Sequence, residues 1–285
     1  MRALVITADD FGAAVEINEA VERAHVEGVL TAASLMVGAP AAADAVARAR
    51  RLPGLRVGLH LVLVDGRPVL EPAALPQLVG PGGTFRDGMV AAGAMMFFHP
   101  RARRQLEAEI AAQFAAFAAT GLTLDHVNAH KHFHLHPTIA GAVLKVGRRF
   151  AMSAARIPIE PRSVLDAIEP GGGALGDPLV EFWASLARRR FRRAGILVAD
   201  QVFGLRWTGA MNARRLRGLI SRLPPGLSEI YLHPTAADAF AGSPAGYRHA
   251  EELAALLDPD VRRAAGSVRL GGFGDFVADR GRIAA

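Results

Sequence analysis

Five of the ten histidines of this 285-residue chain lie between positions 126 and 136. They belong to the run Asp125-His126-Val127-Asn128-Ala129-His130-Lys131-His132-Phe133-His134-Leu135-His136. Histidine is the commonest neutral metal ligand in proteins. Read as an extended segment, the run sends His130, His132 and His134 to one side of the backbone, because side chains alternate along a strand. The spacing predicts a metal site; a fortuitous His-rich patch that binds metal weakly is the alternative.

Two adjacent carboxylates follow the first apolar run of the chain. Asp9 and Asp10 come directly after residues 3–8, in the context Thr7-Ala8-Asp9-Asp10-Phe11-Gly12. A single Asp would suit the N-cap of the next helix. Two in succession indicate divided roles, with one ligating a cation and the other held nearby as a base. The cation would relieve the repulsion that otherwise raises a carboxyl pKa.

Two isolated histidines also lie on or after apolar runs. His60 lies in Val57-Gly58-Leu59-His60-Leu61-Val62, where a core histidine with satisfied hydrogen bonds is the alternative to a ligand. His233 follows another apolar run, which Pro234 ends. A histidine that lies close to the substrate without binding the metal is suited to the role of general acid. We interpret His249 as a surface residue.

One carboxylate and two imidazoles leave a divalent ion with open positions for water and substrate. Zinc suits such a set, as does magnesium, and manganese or nickel stay open as alternatives. A bound ion of this kind lowers the pKa of water towards roughly 7 and polarises a carbonyl oxygen. The residues therefore predict one divalent metal ion and metal-assisted hydrolysis.

The order of elements predicts where these side chains meet. Apolar strand-like runs alternate with helical periodicity, which indicates an α/β fold with a parallel sheet. Seven or eight βα units without an obvious linker favour a TIM-like (β/α) barrel formed by a single domain, residues 1–285. Barrel enzymes build their sites at the C-terminal ends of the strands, where the Asp and His residues stand. The predicted strands are 3–8, 29–37, 55–63, 122–129, 154–159, 196–203, 227–232 and 267–270, and the predicted helices are 15–27, 41–51, 101–119, 137–149, 178–194, 212–223 and 247–257.

Composition narrows the class of protein further. The chain has no cysteine, which excludes disulfides, thiolate ligands and cysteine nucleophiles. Its 33 Lys and Arg exceed 27 Asp and Glu. The arginine run 188–193 suits nucleic acid, an anionic membrane surface or a solvated helix face, and we favour the last and expect no nucleic acid partner. The first apolar run is short for a signal peptide and no window suits a membrane span, so we expect a cytoplasmic protein.

Several motifs together resemble those of the YdjC/ChbG-type carbohydrate deacetylases. They are residues 7–12, 58–60, 128–134 and 232–234, and their order and spacing match across nearly the whole chain. Residues 246–248 and 257–261 agree as well. More narrowly, residues 30–40 and 52–62 resemble the hopanoid-biosynthesis branch HpnK.

The resemblance implies a deformed (β/α) barrel that removes an N-acetyl group from an amino sugar. It makes Asp10, His60 and His130 the metal ligands, Asp9 the base that takes a proton from the attacking water, and His233 the acid that protonates the departing amine. His132 and His134, with Phe11, would line the substrate pocket. One departure is Leu232-His233-Pro234-Thr235, where relatives often have a small or polar residue before the histidine and Gly or Ala after the proline. This departure bears on the shape of the pocket.

In the HpnK branch the implied substrate is an N-acetylglucosaminyl hopanoid, a sugar on a polycyclic lipid. Residues 89–98 are a candidate for the tail, with Met95, Met96 and Phe97 as an adaptable apolar contact, and arginines follow at 101, 103 and 104. This segment predicts a lipid-facing flap or a membrane-touching element, and an ordinary buried helix is the alternative. Peripheral contact with the cytoplasmic face of the inner membrane and a homodimer are further expectations.

Two other functions compete with the deacetylase. A metallophosphoesterase on a His-rich barrel would need more metal ligands, and no obvious second carboxylate set is present. A non-catalytic sugar- or lipid-binding protein would need neither the base Asp9 nor the acid His233.

Overall fold

The computed structural model describes residues 2–171 and 178–279. Its strands are β1 (Arg2–Phe11), β2 (Ala32–Leu35), β3 (Arg56–Leu61), β4 (Leu124–Ala129), β5 (Gln201–Phe203), β6 (Gly226–Leu232) and β7 (Arg269–Leu270). Its helices are α1 (Val15–Val26), α2 (Ala42–Arg51), α3 (Met89–Phe98), α4 (Pro100–Ala119), α5 (Pro137–Gly147), α6 (Arg162–Asp166), α7 (Pro178–Arg193), α8 (Ala213–Ser221), α9 (His249–Leu257), α10 (Pro259–Ala265) and α11 (Gly274–Val277). Short 3-10 turns cover Pro72–Ala74, His130–Leu135 and Arg148–Phe150.

The strands form one parallel sheet that curls into a barrel. Its order is β4-β3-β2-β1-β6-β5, and β7 adds to β1. Single parallel bridges then join Val127 of β4 to Ala155, and Ala154 to Leu197 on the segment leading into β5. The sheet therefore curls round from β4 towards β5, and the predicted deformed (β/α) barrel is confirmed.

Side chains along β1 alternate between the core under the helices and the inside of the barrel. Leu4 and Ile6 belong to the main hydrophobic core, which the helices share. Ala3 and Val5 belong to a second cluster with residues of several other strands, so they point into the barrel. Since successive side chains point to opposite faces, Thr7 and Asp9 continue this inward row towards the C-terminal end of β1.

The N-terminal end of the barrel is closed by segment 271–277. Phe273 and Phe276 are fully buried against the inner side chains of the strands. The carboxylate of Asp125 accepts hydrogen bonds from the backbone N–H groups of Phe273 and Gly274, at 3.1 and 2.7 Å. Because this segment fills the N-terminal end of the barrel, a site can form only at the C-terminal end.

The structure departs from the predicted elements in several places. Residues 154–159 form only the isolated bridges, because Pro158 has no N–H to donate to a sheet. The His-rich segment after β4 is a 3-10 turn and not an extended strand, since Lys131 and His132 have left-handed backbone angles. Helix α3 covers residues 89–98, for which a helix was one of the two interpretations, and α6, α10 and α11 were not predicted.

In the part of the chain that the structure describes, none of the helices combines the length and apolar character needed to cross a membrane.

Candidate metal centre and active site

Asp10, His60 and His130 converge at the C-terminal end of the barrel. The Asp10 Oδ1 atom lies 3.3 Å from Nε2 of His60 and 3.4 Å from Nδ1 of His130. All three ligand atoms lie within 4.8 Å of one another. The side chain of His60 is 2% exposed, while those of Asp10 and His130 are 18% and 24% exposed. The cluster is therefore closed towards the barrel and open towards solvent.

Local backbone geometry brings the three ligands together. His60 lies near the end of β3, and His130 begins the turn that follows β4. Asp10 has a φ of 61°, which breaks the regular pattern of β1 at this residue. A left-handed conformation costs roughly 1 kcal/mol or more in a residue other than glycine. Asn and Asp adopt it most readily, so an aspartate suits this position.

The donor set fits a divalent metal ion. Asp10 Oδ1 and His60 Nε2 are both buried and have no hydrogen-bond partner among the described residues. Two tetrahedral ligands about 2.0–2.1 Å from zinc lie roughly 3.3 Å apart, close to the separations observed here. Contact with the two imidazoles outweighs burial and lowers the pKa of Asp10 well below its usual range. The carboxylate is thus ionised, as a ligand must be.

The ring of His60 is held in the tautomer that a ligand requires. Its Nδ1–H donates to Oδ1 of Asn128 at 2.7 Å, which leaves the lone pair of Nε2 facing Asp10. The amide of Asn128 donates in turn to Ser34 Oγ at 2.8 Å and to Asp9 Oδ1 at 3.2 Å. A partner of this kind fixes both the orientation and the basicity of a metal-binding histidine.

The hydrogen bonds continue down the barrel from Ser34. Its hydroxyl lies 3.0 Å from Nε2 of His126, and Nδ1–H of His126 donates to Asp125 at 2.9 Å. His126 is fully buried. A line of polar side chains thus links the closed end of the barrel to the triad of Asp10, His60 and His130. His126 is separated from the ligand His60 by Ser34 and Asn128.

Asp9 forms a buried ion pair with Arg156. Nη1 of Arg156 donates to Asp9 Oδ2 at 2.5 Å, and its Nε and Nη2 donate to Glu229 Oε1 at 3.0 and 2.8 Å. The guanidinium also stacks on the ring of Tyr231, 4.4 Å from its centre. Burial alone would raise the pKa of Asp9, but the charge of Arg156 outweighs it and the pKa lies well below the usual range. Asp9 is therefore ionised and fixed in direction.

His233 lies on the same rim at the end of β6. Its backbone N–H donates to Glu252 at 2.6 Å, and its carbonyl accepts a hydrogen bond from Nδ1–H of His249 at 2.6 Å. The side-chain Nδ1 is buried without a hydrogen-bond partner among the described residues. Its ring packs edge-on against that of Tyr231, on which Arg156 stacks, with the ring centres of Tyr231 and His233 5.7 Å apart. His249 is 2% exposed, and its interpretation as a surface residue was wrong.

A family model described as YdjC-like protein matches residues 3–266. A carbohydrate deacetylase of Geobacillus stearothermophilus is 31% identical over 264 residues, which is 91% of this chain and 91% of that protein. The chain belongs to the YdjC-like protein family. The predicted family is thereby confirmed, while the HpnK branch stays a prediction.

Further comparisons agree with the YdjC-like assignment. A carbohydrate deacetylase of Brevibacillus brevis is 38% identical over 156 residues, 55% of this chain and 58% of that protein. A solved structure from Enterococcus faecalis V583, whose name links it to cellobiose-phosphate cleavage, has a TM-score of 0.76 at 21% identity. It covers 96% of this chain and 98% of its own. At that identity the likeness shows the fold alone.

The remaining predicted site residues of this YdjC-like chain take two positions. His132 and His134 are close to the Arg156 group: Nε2 of His132 hydrogen-bonds to Tyr231 OH at 2.9 Å, and Nε2–H of His134 donates to the carbonyl of Arg156 at 2.7 Å. Burial lowers the pKa of His134 to about 4 and that of His132 well below 6.5. Both rings are neutral. They lie on the side of the site that Arg156 and Tyr231 form, and the three-ligand cluster does not include them.

The apolar residues predicted to contact substrate lie elsewhere. Phe11 is fully buried and belongs to the main core. Met96 is 1% exposed and faces inward on α3. Phe97, which is 49% exposed, lies against His136 at the far end of the His-rich turn, with ring centres 6.4 Å apart. Met95 is partly buried against the core. The roles of Phe11 and Met96 as substrate contacts stay predictions, although both side chains are buried in the core.

Sequence reasoning missed the partners of the predicted catalytic groups. Arg156 and Glu229 are fully buried, yet neither was singled out. Both lie in apolar, strand-like runs, and a charged residue in such a run needs a partner of opposite charge. That signal could have found the pair. Asn128 was quoted in a motif without a role, and its amide proves to join the triad to Asp9.

Proposed function

We propose that this protein is a metal-dependent carbohydrate N-deacetylase. The observation that carries the proposal is the position of Asp9, which shares the amide of Asn128 with the His60 ligand. A cation site and an ionised carboxylate, joined by one side chain, are the parts that metal-assisted hydrolysis of an amide requires. The relatives are carbohydrate deacetylases, which supports an acetylated sugar as substrate.

Asp10, His60 and His130 would hold the divalent ion, with zinc or magnesium as our first choices and nickel or manganese as alternatives. When bound, such an ion polarises a carbonyl oxygen and makes water a better nucleophile. Asp9 accepts the proton of the attacking water, and Arg156 keeps the carboxylate ionised and aimed. His233 donates a proton to the departing amine nitrogen, so that acetate and a free amino sugar are released.

We propose more specifically that the substrate is an N-acetylglucosaminyl lipid of the hopanoid type. The resemblance of residues 30–40 and 52–62 to the HpnK branch supports it. The exposed Phe97, beside the turn that carries His130, supports an apolar group next to the sugar. We further propose a cytoplasmic location with peripheral contact at the inner membrane, and a homodimer as an assembly state.

The decisive experiment measures acetate release with metal-stripped and reconstituted enzyme. N-acetylglucosaminyl lipid and free diacetylchitobiose are compared as substrates. We expect activity only after reconstitution, with the lipid preferred. Phosphate release from a sugar phosphate in the absence of acetate release would favour the metallophosphoesterase instead, although the described residues hold a single three-ligand cluster.

Asp9→Asn separates catalysis from metal binding. The variant keeps the shape of the side chain and its bond from Asn128, so we expect a metal content like that of the wild type. Loss of a general base typically costs about 10²–10⁴-fold in rate. Asn212→Ala, on a remote helix cap, is the matched control and should keep its activity. Equal acetate release by Asp9→Asn and wild type would exclude this mechanism.

A further inference from the structure

Two helices next to the site expose large apolar side chains to solvent. On α3, Val90 is 89% exposed and Phe98 is 70% exposed. On α7, Phe182 and Leu186 are 63% and 47% exposed. Exposed apolar residues that cluster in this way mark an interaction surface.

The outer face of α7 has an ordered pattern. Ala184, Ala187 and Phe191 are buried and form the inner face of the helix. Phe182, Leu186, Arg189 and Arg193 recur at spacings of four, three and four, so they share the opposite face. All four are exposed. The stripe is apolar in its first half and cationic in its second.

Helix α4 adds further positive charge next to α3. Arg101, Arg103 and Arg104 are exposed on its first turn. Of the acidic groups nearby, Glu107 is paired with Lys145 at 2.6 Å, and Glu181 on α7 is paired with Arg162 at 2.6 Å. The two carboxylates are thus neutralised, and the arginines dominate the charge of this face.

The two helices flank one segment of the protein. His136 contacts Phe97 of α3 on one side and Trp183 of α7 on the other, with ring centres 6.4 and 5.4 Å apart. Phe97, Arg103 and Arg190 also line a single open groove, whose floor is α5. The apolar and cationic groups therefore belong to one surface, which we call the α3/α7 surface and define by Val90, Phe97, Phe98, Arg101, Arg103, Arg104, Phe182, Leu186, Arg189 and Arg193.

We propose that the α3/α7 surface binds a lipid bilayer that contains anionic phospholipids. Apolar side chains enter the boundary between headgroups and acyl chains, while arginines contact the anionic headgroups. A polyanion such as nucleic acid would contact the arginines but leave Val90, Phe98 and Phe182 in water. A two-fold dimer through this surface would put two copies of the same cationic patch into one interface, because such an interface pairs a patch with itself.

The test is co-sedimentation of the full chain with vesicles. Vesicles of phosphatidylcholine with phosphatidylglycerol are compared with vesicles of phosphatidylcholine alone. We expect binding to the first kind and much weaker binding to the second, with a loss on addition of salt. The test bears on the membrane contact proposed above but does not depend on deacetylation, so vesicle binding and acetate release can fail separately.

Two double variants divide the surface into its parts. Arg103→Gln with Arg104→Gln should lower the partition coefficient about 30-fold, since each cation near an anionic surface contributes about 1 kcal/mol. Phe98→Ser with Phe182→Ser should lower it about tenfold or more. The matched controls are Val26→Ser on α1, where Val26 is 65% exposed, and Arg222→Gln at the end of α8. Both controls should bind like the wild type.

Three outcomes would overturn the proposal. The first is equal sedimentation with the two kinds of vesicle, and the second is an equal loss of binding in the controls. The third is a dimer in solution that the variants convert to monomer while vesicle binding is absent, which would assign the surface to a second copy of the chain.

Discussion

At the scale of single residues, Asn128 has the most connected role in the site. Its amide oxygen accepts from His60, and its amide nitrogen donates to Ser34 and Asp9. Aspartate in its place would repel Asp9, and a hydrophobic residue would leave Nδ1 of His60 without its partner and remove one hydrogen bond each from Ser34 and Asp9. The side chain therefore couples the orientation of a ligand to the orientation of the proposed base.

Asn128→Ala should weaken metal binding about 10–100-fold, as the loss of such a partner commonly does. The free energy of unfolding should also fall by about 1–3 kcal/mol, because buried polar groups lose their partners. Metal titration and denaturant unfolding measure the two effects. Asn212→Ala removes the N-cap of α8, so it should lower stability without changing metal affinity. Unchanged affinity in Asn128→Ala would contradict the assigned role.

His134 should make the protein sensitive to mild acid. Burial lowers its folded pKa to about 4, while an unfolded histidine titrates near 6.5. The unfolded state therefore takes up the proton first as the pH falls, and stability present above pH 6.5 is lost down to about pH 4. The shift corresponds to about 3 kcal/mol.

His134→Gln can still donate to the carbonyl of Arg156 but does not titrate. Unfolding measured between pH 7 and pH 4 should show a smaller fall in this variant. The control His99→Gln replaces an exposed histidine and should keep the fall of the wild type. The same fall in all three proteins would show that His134 does not titrate as described.

At the scale of elements, Gly58 on β3 leaves the space that the ring of His126 on β4 occupies. A Cβ added there would lie 2.5 Å from Cε1 of His126. The ring cannot retreat, since Asp125 and Ser34 hold its two nitrogens. Gly58 thus creates the room for the polar line that runs between these strands.

Gly58→Ala should lower the free energy of unfolding by about 1–3 kcal/mol through overpacking. It should also weaken metal binding, because a shifted His126 displaces Ser34 and Asn128. Gly82→Ala is a matched control in a loop where no atom lies within 4 Å of the added group, and its stability should stay within about 0.5 kcal/mol of the wild type. Thermal unfolding and metal titration measure the two effects. Equal stability and equal metal affinity in Gly58→Ala and Gly82→Ala would contradict the role assigned to Gly58.

The elements also explain how far sequence reasoning reaches. The ends of the strands could be predicted from local patterns of apolar residues. Because parallel strands share one C-terminal edge, these ends also predict that Asp10, His60 and His130 lie close together. The geometry of the His-rich turn could not be predicted in this way. Lys131 and His132 have left-handed backbone angles, which contradict the interpretation of the run as an extended segment with alternating side chains. Lys131 forms an ion pair with Asp65, a contact across 66 residues that no local pattern contains.

Arg156 shows the second limit of sequence reasoning. Its partners Asp9 and Glu229 lie on β1 and β6, far away along the chain. Charge inside an apolar run indicates that a partner exists, but the strand order decides which carboxylate it is. Phe11 illustrates the converse, because a residue inside a family motif can serve the core.

At the scale of the whole molecule, the barrel is closed at one end and reactive groups gather at the other. Phe276 fills the closed end at 0% exposure. Phe276→Ala should cost about 3–5 kcal/mol of unfolding free energy, by loss of apolar burial and creation of a cavity. Phe98→Ala removes the same ring from a position that is 70% exposed and should cost less than about 0.5 kcal/mol. Comparable losses in both variants, measured by denaturant unfolding, would show that segment 271–277 does not seal the barrel.

The neighbours of β1 have a consequence for how the protein is made. β1 carries Asp9 and Asp10, and it pairs with β2 early in the chain but also with β6 and β7. Contacts so distant in sequence form slowly, because a long loop must close first. During synthesis β1 must wait for more than 200 residues before β6 emerges beside it. We therefore expect the nascent chain to complete the Asp9 side of the site in a late step, after β6 has brought Glu229 and His233 beside β1.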